Sequence, residues 1–366
     1  MRAGGLLLAT LRPDAEDHRD GLVEAWSKPP AGTLALLAHE GAALWANRRL
    51  AALRVPAVPG PLRAEALATA ARGLRIDAAG RQVLVQLSGA GIAAIPIKGM
   101  ARRILAGRWP LLDARSLGDI DLLLPPDQVD AGWQFLRGQG YQPAVADGEA
   151  GYRDHHHLVA LVGPEGVAVE LHRSASALLE PARAWERFWA GSESLSWQDL
   201  VVQVPAPTEL VWHTISHAAT DGVAGFRLRH WLDLVGLAQE GAPVDWEVIG
   251  TRIGSEPVQD GQSLGEVAPR VLRQWLGAGA MLMSGATADW QPLTDPVGLE
   301  RLLDGRAAIL ASRWGQGRPS RRLLAEWTRD ELDWPLETVV GSASVRARHR
   351  LKGLVARRAS RLLARR

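Results

Sequence analysis

Two aspartates at alternate positions of a short apolar run are the residues of this sequence whose spacing best suits chemistry. They lie in the segment Gly118-Asp119-Ile120-Asp121-Leu122-Leu123-Leu124. Successive side chains of a β-strand point to opposite faces, so Asp119 and Asp121 would share one face. Two neighbouring carboxylates repel each other unless a cation lies between them or one stays protonated. The pattern is compatible with a cation site, but for so short a motif on its own a surface strand with two solvated aspartates is the favoured interpretation.

Further charged residues in the same stretch of chain strengthen the case for a cation site. Glu170 and His172 would share one face of a second strand. Lys98 and Gly99 lie where another apolar run gives way to a helical pattern, and a glycine there lets backbone N–H groups approach a phosphate at a helix N-terminus. Lys98 would add a point charge to the same phosphate. Mg²⁺ is the natural cation, because one or two carboxylates and substrate phosphates hold it in proteins.

The periodicity of apolar residues predicts the elements that must position these side chains. Strands are predicted at 94–97 and 119–124, and helices at 100–105 and 127–137, the second with Asp127 as its N-cap. The runs 157–162 and 167–171 are separated by Gly163-Pro164-Glu165-Gly166, which predicts a β-hairpin. The sequence thus predicts an α+β (mixed α/β) core with a mixed sheet.

Helical patterns on both sides of this core predict the domain organisation. The predicted units are an N-terminal helical region at 1–90, the core at 91–180, a C-terminal helical region at 181–344 and a basic amphipathic tail at 345–366. Within the C-terminal region, 209–219 and 227–239 are predicted helices, and 254–263 and 284–298 are predicted loops.

Composition excludes several classes of site. The chain has 366 residues and no cysteine, so disulfides, thiolate metal sites and a catalytic cysteine are excluded. Its formal charge of +2 hides an asymmetry, because nine Lys and Arg residues fall in 345–366. Without them, 33 basic residues face 40 acidic ones, a charge of −7. We expect a cytoplasmic protein, because the apolar run near the start is too short to span a membrane.

Taken together, the motifs resemble the uncharacterised bacterial nucleotidyltransferase family of the polymerase-β-like superfamily. The resemblance covers about residues 15–240. Its motifs are Ile97-Lys98-Gly99, Arg115, Asp119-Ile120-Asp121-Leu122-Leu123, Gly140-Tyr141, Val169-Glu170-Leu171-His172, the pair His213 and His217, and the run 229–235. The chain departs from the superfamily in three places: Met100 follows Gly99 where Ser or Gly is usual, the spacing from Gly99 to Asp119 is longer, and Glu170 stands where Asp is frequent.

The resemblance implies a metal-dependent nucleotidyltransferase. Such an enzyme moves a nucleoside monophosphate from an NTP, such as ATP, to a hydroxyl or phosphate acceptor and releases pyrophosphate. Asp119, Asp121 and Glu170 would be its catalytic carboxylates and would hold Mg²⁺, with Mn²⁺ as an alternative. The nucleotide-binding residues implied are Lys98, Gly99 and Arg115. The partners are then an NTP and an acceptor that is a small molecule, a peptide or a protein.

Two other classes of function stay open at this point. One is a non-catalytic nucleotide-binding or regulatory module, against which the intact acidic trio argues. The other is a nucleic-acid-binding protein acting through the tail at 345–366, which the acidic remainder of the chain disfavours. The same tail could contact an anionic membrane surface peripherally or be a solvated end, and the solvated end is favoured.

The histidines are weaker candidates. Because a strand alternates its faces, at most two of His155-His156-His157 would point together, so the three are interpreted as structural, with His157 near the site. His213 and His217 have zinc-compatible helical spacing but lack the glutamate of the metalloprotease motif. His157, His172 and His217 are therefore accessory candidates. Arg229 and Asp233, also four apart, predict either a helix pair or a contact between domains.

Overall fold

The architecture is one mixed β-sheet set among helices. The computed structural model describes residues 1–11, 13–56, 58–145, 155–176, 179–225, 228–255, 257–259, 262–263, 303–304 and 307, which all fall in one compact unit spanning 1–315. The helices are α1 (Ala3–Leu11), α2 (Arg19–Ser27), α3 (Thr33–Glu40), α4 (Ala43–Ala52), α5 (Gly60–Gly89), α6 (Lys98–Leu105), α7 (Val129–Gly138), α8 (Pro181–Ala190), α9 (Pro207–Gly225), α10 (Leu228–Gln239) and α11 (Trp246–Ser255). The strands are β1 (Ile95–Pro96), β2 (Asp119–Leu123), β3 (Gln142–Pro143), β4 (Leu161–Val162), β5 (Ala168–His172), β6 (Ser192–Trp197), β7 (Leu200–Pro205), β8 (Pro257–Gln259) and β9 (Gln262–Ser263).

The main sheet has five strands in the order β1-β2-β5-β4-β3. β2 and β5 are parallel, and the other neighbouring pairs are antiparallel. The predicted mixed sheet is thus confirmed, and so is the α+β fold class. The predicted hairpin is also confirmed, since β4 and β5 pair with Leu161 opposite Val169. Its first strand is shorter than expected, because 157–160 meets β5 only in an isolated bridge from His157 to His172.

The two faces of β2 and β5 differ in chemistry, as the alternation of residues requires. Ile120, Leu124 and Leu171 are buried on the face covered by α5 and α7. Gly80 of α5 and Gly132 of α7 permit this close packing, because a Cβ would lie 2.6 Å from Met100 Cε at the first and 2.8 Å from Leu124 Cδ2 at the second. The acidic side chains of both strands are left on the opposite face.

Helices outside the sheet are joined to one another by buried carboxylates. Glu40 at the end of α3 accepts a hydrogen bond from the backbone N–H of Leu228 at 2.7 Å and so caps the N-terminus of α10. Glu209 of α9 binds Arg252 of α11 through two hydrogen bonds, at 2.7 and 3.0 Å. These contacts hold α10 and α11 in place beside the elements that carry the site.

A hairpin occurs where the sequence predicted only helices. β6 and β7 pair in antiparallel fashion and are joined by Gln198 and Asp199, which have φ angles of 46° and 64°. Two consecutive residues of positive φ form the tight turn that suits a two-residue hairpin. The prediction missed it because neither residue is glycine, the usual signal of such a turn. The predicted loop 254–263 was also wrong, since it contains the end of α11 and the strands β8 and β9.

Other boundaries differ by a few residues. The predicted N-cap at Asp127 was wrong: α7 begins at Val129 after Gln128, which makes no side-chain cap, and Asp127 lies exposed in the preceding turn. The helices predicted at 209–219 and 227–239 are confirmed as α9 and α10. The predicted loop at 284–298 and the predicted tail helix at 345–366 lie outside the described residues. The division of the chain at 90, 180 and 344 stays a prediction.

Candidate functional site

The register of two parallel strands brings the acidic residues together. Asp121 of β2 lies directly opposite Glu170 of β5, and Asp119 lies opposite Ala168. Asp119 precedes Asp121 by two residues and so shares its face. One strand pairing thus spans the 48 residues between Asp121 and Glu170 and brings the three carboxylates to one face of the sheet.

Lys98 reaches this carboxylate group from the neighbouring strand. The backbone N–H of Ile97 donates to Asp121 O at 3.0 Å, which places Lys98, the first residue of α6, beside β2. Lys98 Nζ lies 2.7 Å from Asp121 Oδ1 and 4.0 Å from Glu170 Oε2. The φ angle of Lys98 is 48°, in the left-handed region that costs a residue with a Cβ about 1–2 kcal/mol. Strain of this kind is concentrated at functional sites.

His172 contacts the same carboxylates from β5. Its Nε2–H donates to Asp121 Oδ1 at 2.9 Å and lies 3.6 Å from Glu170 Oε2. An ionised carboxylate only accepts hydrogen bonds, so the proton of the neutral ring belongs on Nε2. The His172 ring is completely buried, and the hydrogen bond therefore orients the Asp121 carboxylate as well as the imidazole.

The two aspartates have opposite pKa shifts. Burial works to raise the pKa of Asp121, but the charge of Lys98 and the hydrogen bond from His172 outweigh it and hold the pKa well below its ordinary value. Glu170 likewise has a lowered pKa, because the nearby imidazole of His172 and the charge of Lys98 outweigh burial. Asp119 has less compensation. Burial, followed by the charges of Asp121 and Glu170, raises its pKa to about 6.

The site fits a divalent cation. One potential ligand atom each from Asp121, Glu170 and His172 lies within 4.8 Å of the others. Burial, followed by the charges of Asp121 and Glu170, raises the pKa of Asp119 in spite of Lys98 and Arg115, and a bound cation would offset both effects. Carboxylate oxygens are the ligands that Mg²⁺ and Mn²⁺ prefer in proteins. The predicted carboxylates thus have both the donor atoms and the charge that such an ion requires.

The Lys98-Gly99 turn is packed against Arg115. A Cβ at Gly99 would overlap Nη1 of Arg115 and lie 3.2 Å from Leu117 Cγ, so a larger residue would displace the Arg115 guanidinium. Arg115 Nε lies 3.0 Å from Asp233 Oδ2 on α10. The three residues predicted to bind nucleotide, Lys98, Gly99 and Arg115, therefore lie next to one another, and their roles stay predictions.

A buried ion cluster supports this turn from behind. Arg102 lies one helical turn after Lys98; its Nε is 3.0 Å from Asp233 Oδ2 and its Nη1 donates to Lys98 O at 2.7 Å. It also donates to Thr214 Oγ1 of α9. Burial lowers the pKa of Arg102 to about 10 in spite of Asp233. Asp233 therefore links α10 to Arg102 of α6 and to Arg115, and does not act only within its own helix.

Sequence reasoning missed Arg102. Lys98, Arg102 and Arg103 all lie on α6, and nothing in their spacing shows which is buried. Arg103 instead pairs with Asp77 of α5 and with Asp113, whereas Arg102 is 2% exposed and joins α6 to α10. Three-dimensional packing alone distinguishes the two neighbours.

Three consecutive histidines converge beside the carboxylates. The chain bends at His155 and His156, so the alternation of a strand does not apply and the expectation that at most two of them point together was wrong. Their ring centroids lie 4.2–4.8 Å apart, and the His157 ring is 5.1 Å from that of His172. Burial and neighbouring imidazoles lower the pKa of His156 and of His157, which keeps both rings neutral at pH 7.

The two histidines of α9, His213 and His217, are described by their own contacts. His213 is buried and its Nε2–H donates to Ala175 O at 2.8 Å, a structural contact. The His217 ring lies 6.1 Å from that of His213. Among the described residues, neither belongs to a group of ligands that could hold a metal ion. The structure thus brings His157 and His172 to the carboxylates, and the accessory role of His217 stays a prediction.

Comparison with known proteins agrees with the geometry. A family model described as an uncharacterised nucleotidyltransferase matches residues 32–255, which span α3 to α11 and contain the whole five-stranded sheet. A search of curated proteins found no match. In the part of the chain that the structure describes, no helix is long and apolar enough to cross a membrane.

Proposed function

Because the chain belongs to this family of uncharacterised nucleotidyltransferases, we propose that it transfers a nucleoside monophosphate from an NTP to a hydroxyl or phosphate acceptor and releases pyrophosphate. One observation supports this activity more than any other. Asp119, Asp121 and Glu170 lie together on one face of β2 and β5, next to Lys98 at the start of α6.

The carboxylates are the proposed metal ligands. Asp119, Asp121 and Glu170 would hold Mg²⁺ or Mn²⁺, since they supply hard oxygen donors and uncompensated negative charge. When bound, the metal supplies charge neutralisation for the triphosphate and the leaving pyrophosphate. His172 would keep the Asp121 carboxylate in a single orientation through its 2.9 Å hydrogen bond.

The bond changes define what the protein residues must do. An acceptor oxygen forms a bond to the α-phosphorus while the bond from that phosphorus to the oxygen bridging to the β-phosphate breaks. A hydroxyl acceptor also loses a proton. We assign that proton to Glu170, because its side chain is 21% exposed and can meet an incoming hydroxyl, whereas the Asp121 side chain is 3% exposed. Catalysis otherwise rests on positioning and charge neutralisation.

Lys98, Gly99 and Arg115 are the proposed phosphate-binding residues. Gly99 has no side chain to obstruct the N-terminus of α6, where backbone N–H groups point outward and attract anions. Lys98 supplies a point charge at the same place. The Arg102–Asp233 cluster holds this turn in position by hydrogen bonding to Lys98 O and by pairing with Arg115.

Asp119→Asn tests the proposed function most directly. We expect metal-dependent transfer of label from α-labelled NTP to fall by at least about 10²-fold, because one charge of the carboxylate trio is lost. The assay mixes the purified chain with each α-labelled NTP, Mg²⁺ or Mn²⁺, and an extract that contains small molecules, peptides and proteins. Asp130→Asn is the matched control, since Asp130 lies on α7 with its side chain 83% exposed.

The same experiment separates the other classes of function. Metal-dependent NTP binding without label transfer, in the wild type as in Asp119→Asn, would favour a non-catalytic nucleotide-binding module. RNA or DNA binding that weakens steeply with salt, together with no transfer, would favour a nucleic-acid-binding protein. Equal transfer by wild type and Asp119→Asn would remove the carboxylates from the mechanism.

A further inference from the structure

We propose that His155, His156 and His157 form a second metal site, selective for a borderline divalent ion of the zinc class and distinct from the carboxylate site. One ligand nitrogen from each imidazole lies within 4.8 Å of the other two. Tetrahedral Zn²⁺ with Zn–N bonds of about 2.0–2.1 Å requires nitrogens roughly 3.4 Å apart. Binding an ion would therefore require the rings to rotate until their nitrogens, which lie within 4.8 Å of one another, reach that spacing.

The hydrogen bonding of His157 prepares it as a ligand. Its Nδ1–H donates to Leu158 O at 2.7 Å, which leaves the lone pair of the neutral ring on Nε2. Metal-binding histidines usually donate their other ring N–H in this way, since it sets the tautomer and the ring orientation. His156 offers a further nitrogen, because its Nδ1 is buried without a hydrogen-bond partner among the described residues.

The backbone that carries these rings is anchored. His156 O accepts hydrogen bonds from the N–H groups of Arg173 and Ser174 at 2.9 and 3.1 Å. The N–H of Leu158 donates to Leu171 O at 3.0 Å. The histidine segment is thus tied to the end of β5 on both sides of His157. Ligands held on such a scaffold lose less freedom when an ion binds.

The type of ligand determines the type of ion. Imidazole nitrogens favour Zn²⁺, Cu²⁺ and Ni²⁺, whereas Mg²⁺ and Mn²⁺ prefer the carboxylate oxygens next to them. A site with three protein imidazoles also leaves one coordination position open for water or for a substrate oxygen. That position would lie near the carboxylate site, because the rings of His157 and His156 are 5.1 and 5.6 Å from the ring of His172.

The test is a titration of the tag-free, full-length chain with Co²⁺, which reports coordination by visible absorption, followed by competition with Zn²⁺. With millimolar Mg²⁺ present to occupy the carboxylate site, we expect one Co²⁺ per chain with a tetrahedral spectrum, displaced by Zn²⁺. His156→Gln should weaken Zn²⁺ binding by at least about 100-fold, since loss of an outer partner alone costs 10–100-fold. His18→Gln, an exposed histidine of the N-terminal part, and Asp119→Asn should leave binding unchanged.

Three outcomes would overturn the site. Absence of the tetrahedral spectrum in the wild type would overturn the site without any variant, whether or not His156→Gln folds. Binding lost in Asp119→Asn but kept in His156→Gln would place the ion at the carboxylates. Binding equal in all variants would be adventitious. Because no NTP is present, none of these results depends on the proposed transfer activity.

Discussion

Asp119 and Asp121 show how neighbouring contacts give two identical side chains different properties. Lys98 and His172 both touch Asp121, which therefore stays ionised. Asp119 lies two residues earlier on the same face and receives the repulsion of the other carboxylates, which together with burial raises its pKa to about 6. Asp119 is thus the carboxylate of the trio with the most free energy to gain from a bound cation.

This raised pKa predicts how stability depends on pH. A carboxyl whose pKa rises from 3.8 unfolded to about 6 folded favours the folded state below pH 3.8, and that contribution is lost as the pH rises through 6. The metal-free Asp119→Asn variant should therefore gain about 1–2 kcal/mol of unfolding free energy over wild type at pH 8, after allowance for solvent screening.

The measurement is urea unfolding of both proteins in EDTA at pH 4 and pH 8. The lowered pKa values of His156 and His157 reduce stability as the pH falls, and they do so in both proteins. The difference in unfolding free energy between the two proteins therefore isolates Asp119. Asp130→Asn serves again as the exposed control. A difference that does not grow between pH 4 and pH 8 would show that Asp119 is not strained by its neighbours.

Parts of the site could be predicted from single residues and parts could not. The alternation of a strand predicted that Asp119 and Asp121 share a face, because that property is local. The convergence of the three histidines was not predictable, because it depends on a bend held by hydrogen bonds from Arg173 and Ser174. The burial of Arg102 rather than Arg103 depends on where α10 packs, which no spacing within α6 records.

Among the elements, periodicity predicted the long helices and the β4–β5 hairpin. The β6–β7 hairpin was missed since its turn, Gln198-Asp199, uses positive φ angles without glycine. β1 is only two residues long, and its pairing with β2, not its propensity, makes it a strand. The sequence nevertheless predicted a strand at this position, at 94–97, whereas the short strands β3, β8 and β9 were not predicted.

Asp233 of α10 pairs with residues that support the site. Asp233 is 1% exposed and pairs with both Arg102, on α6, and Arg115, in the segment before β2. We expect Asp233→Asn to lower the unfolding free energy by about 3–5 kcal/mol, because two buried guanidinium groups lose their counter-ion. Chemical denaturation monitored by tryptophan fluorescence measures it.

The matched control is the same aspartate-to-asparagine change at an exposed position of α7. Asp130→Asn should change stability by no more than about 0.5 kcal/mol, as surface substitutions usually do. If Asp233→Asn were equally mild, the cluster would be hydrated and would not position the Lys98-Gly99 turn. In that case the NTP affinity of the variant should also equal that of wild type.

For the whole molecule, the matched region at 32–255 contains every residue of the proposed site. The basic residues at 345–366 lie outside it, and their removal changes the formal charge from +2 to −7. We expect a chain ending at residue 344 to retain metal-dependent label transfer. We also expect it to co-sediment with anionic vesicles or RNA no less than the full chain, which is the behaviour of a solvated end.

Sedimentation at low and at physiological salt measures this second expectation. Full-length protein that pellets with vesicles, while the shortened chain stays in the supernatant, would give the tail a peripheral membrane role. The same difference with RNA alone would give it a role in nucleic-acid binding. Loss of transfer in the shortened chain would place the tail in the catalytic unit.

The pairing of β2 with β5 has a consequence for how the protein is made. Asp121 and Glu170 meet across a parallel pair, and a chain emerging from the ribosome supplies the first nearly 50 residues before the second. Such non-local pairing closes slowly, since a long loop must be ordered first. In a nascent or misfolded chain the two aspartates are therefore not yet next to Glu170. The three carboxylates come together only when β2 and β5 have paired.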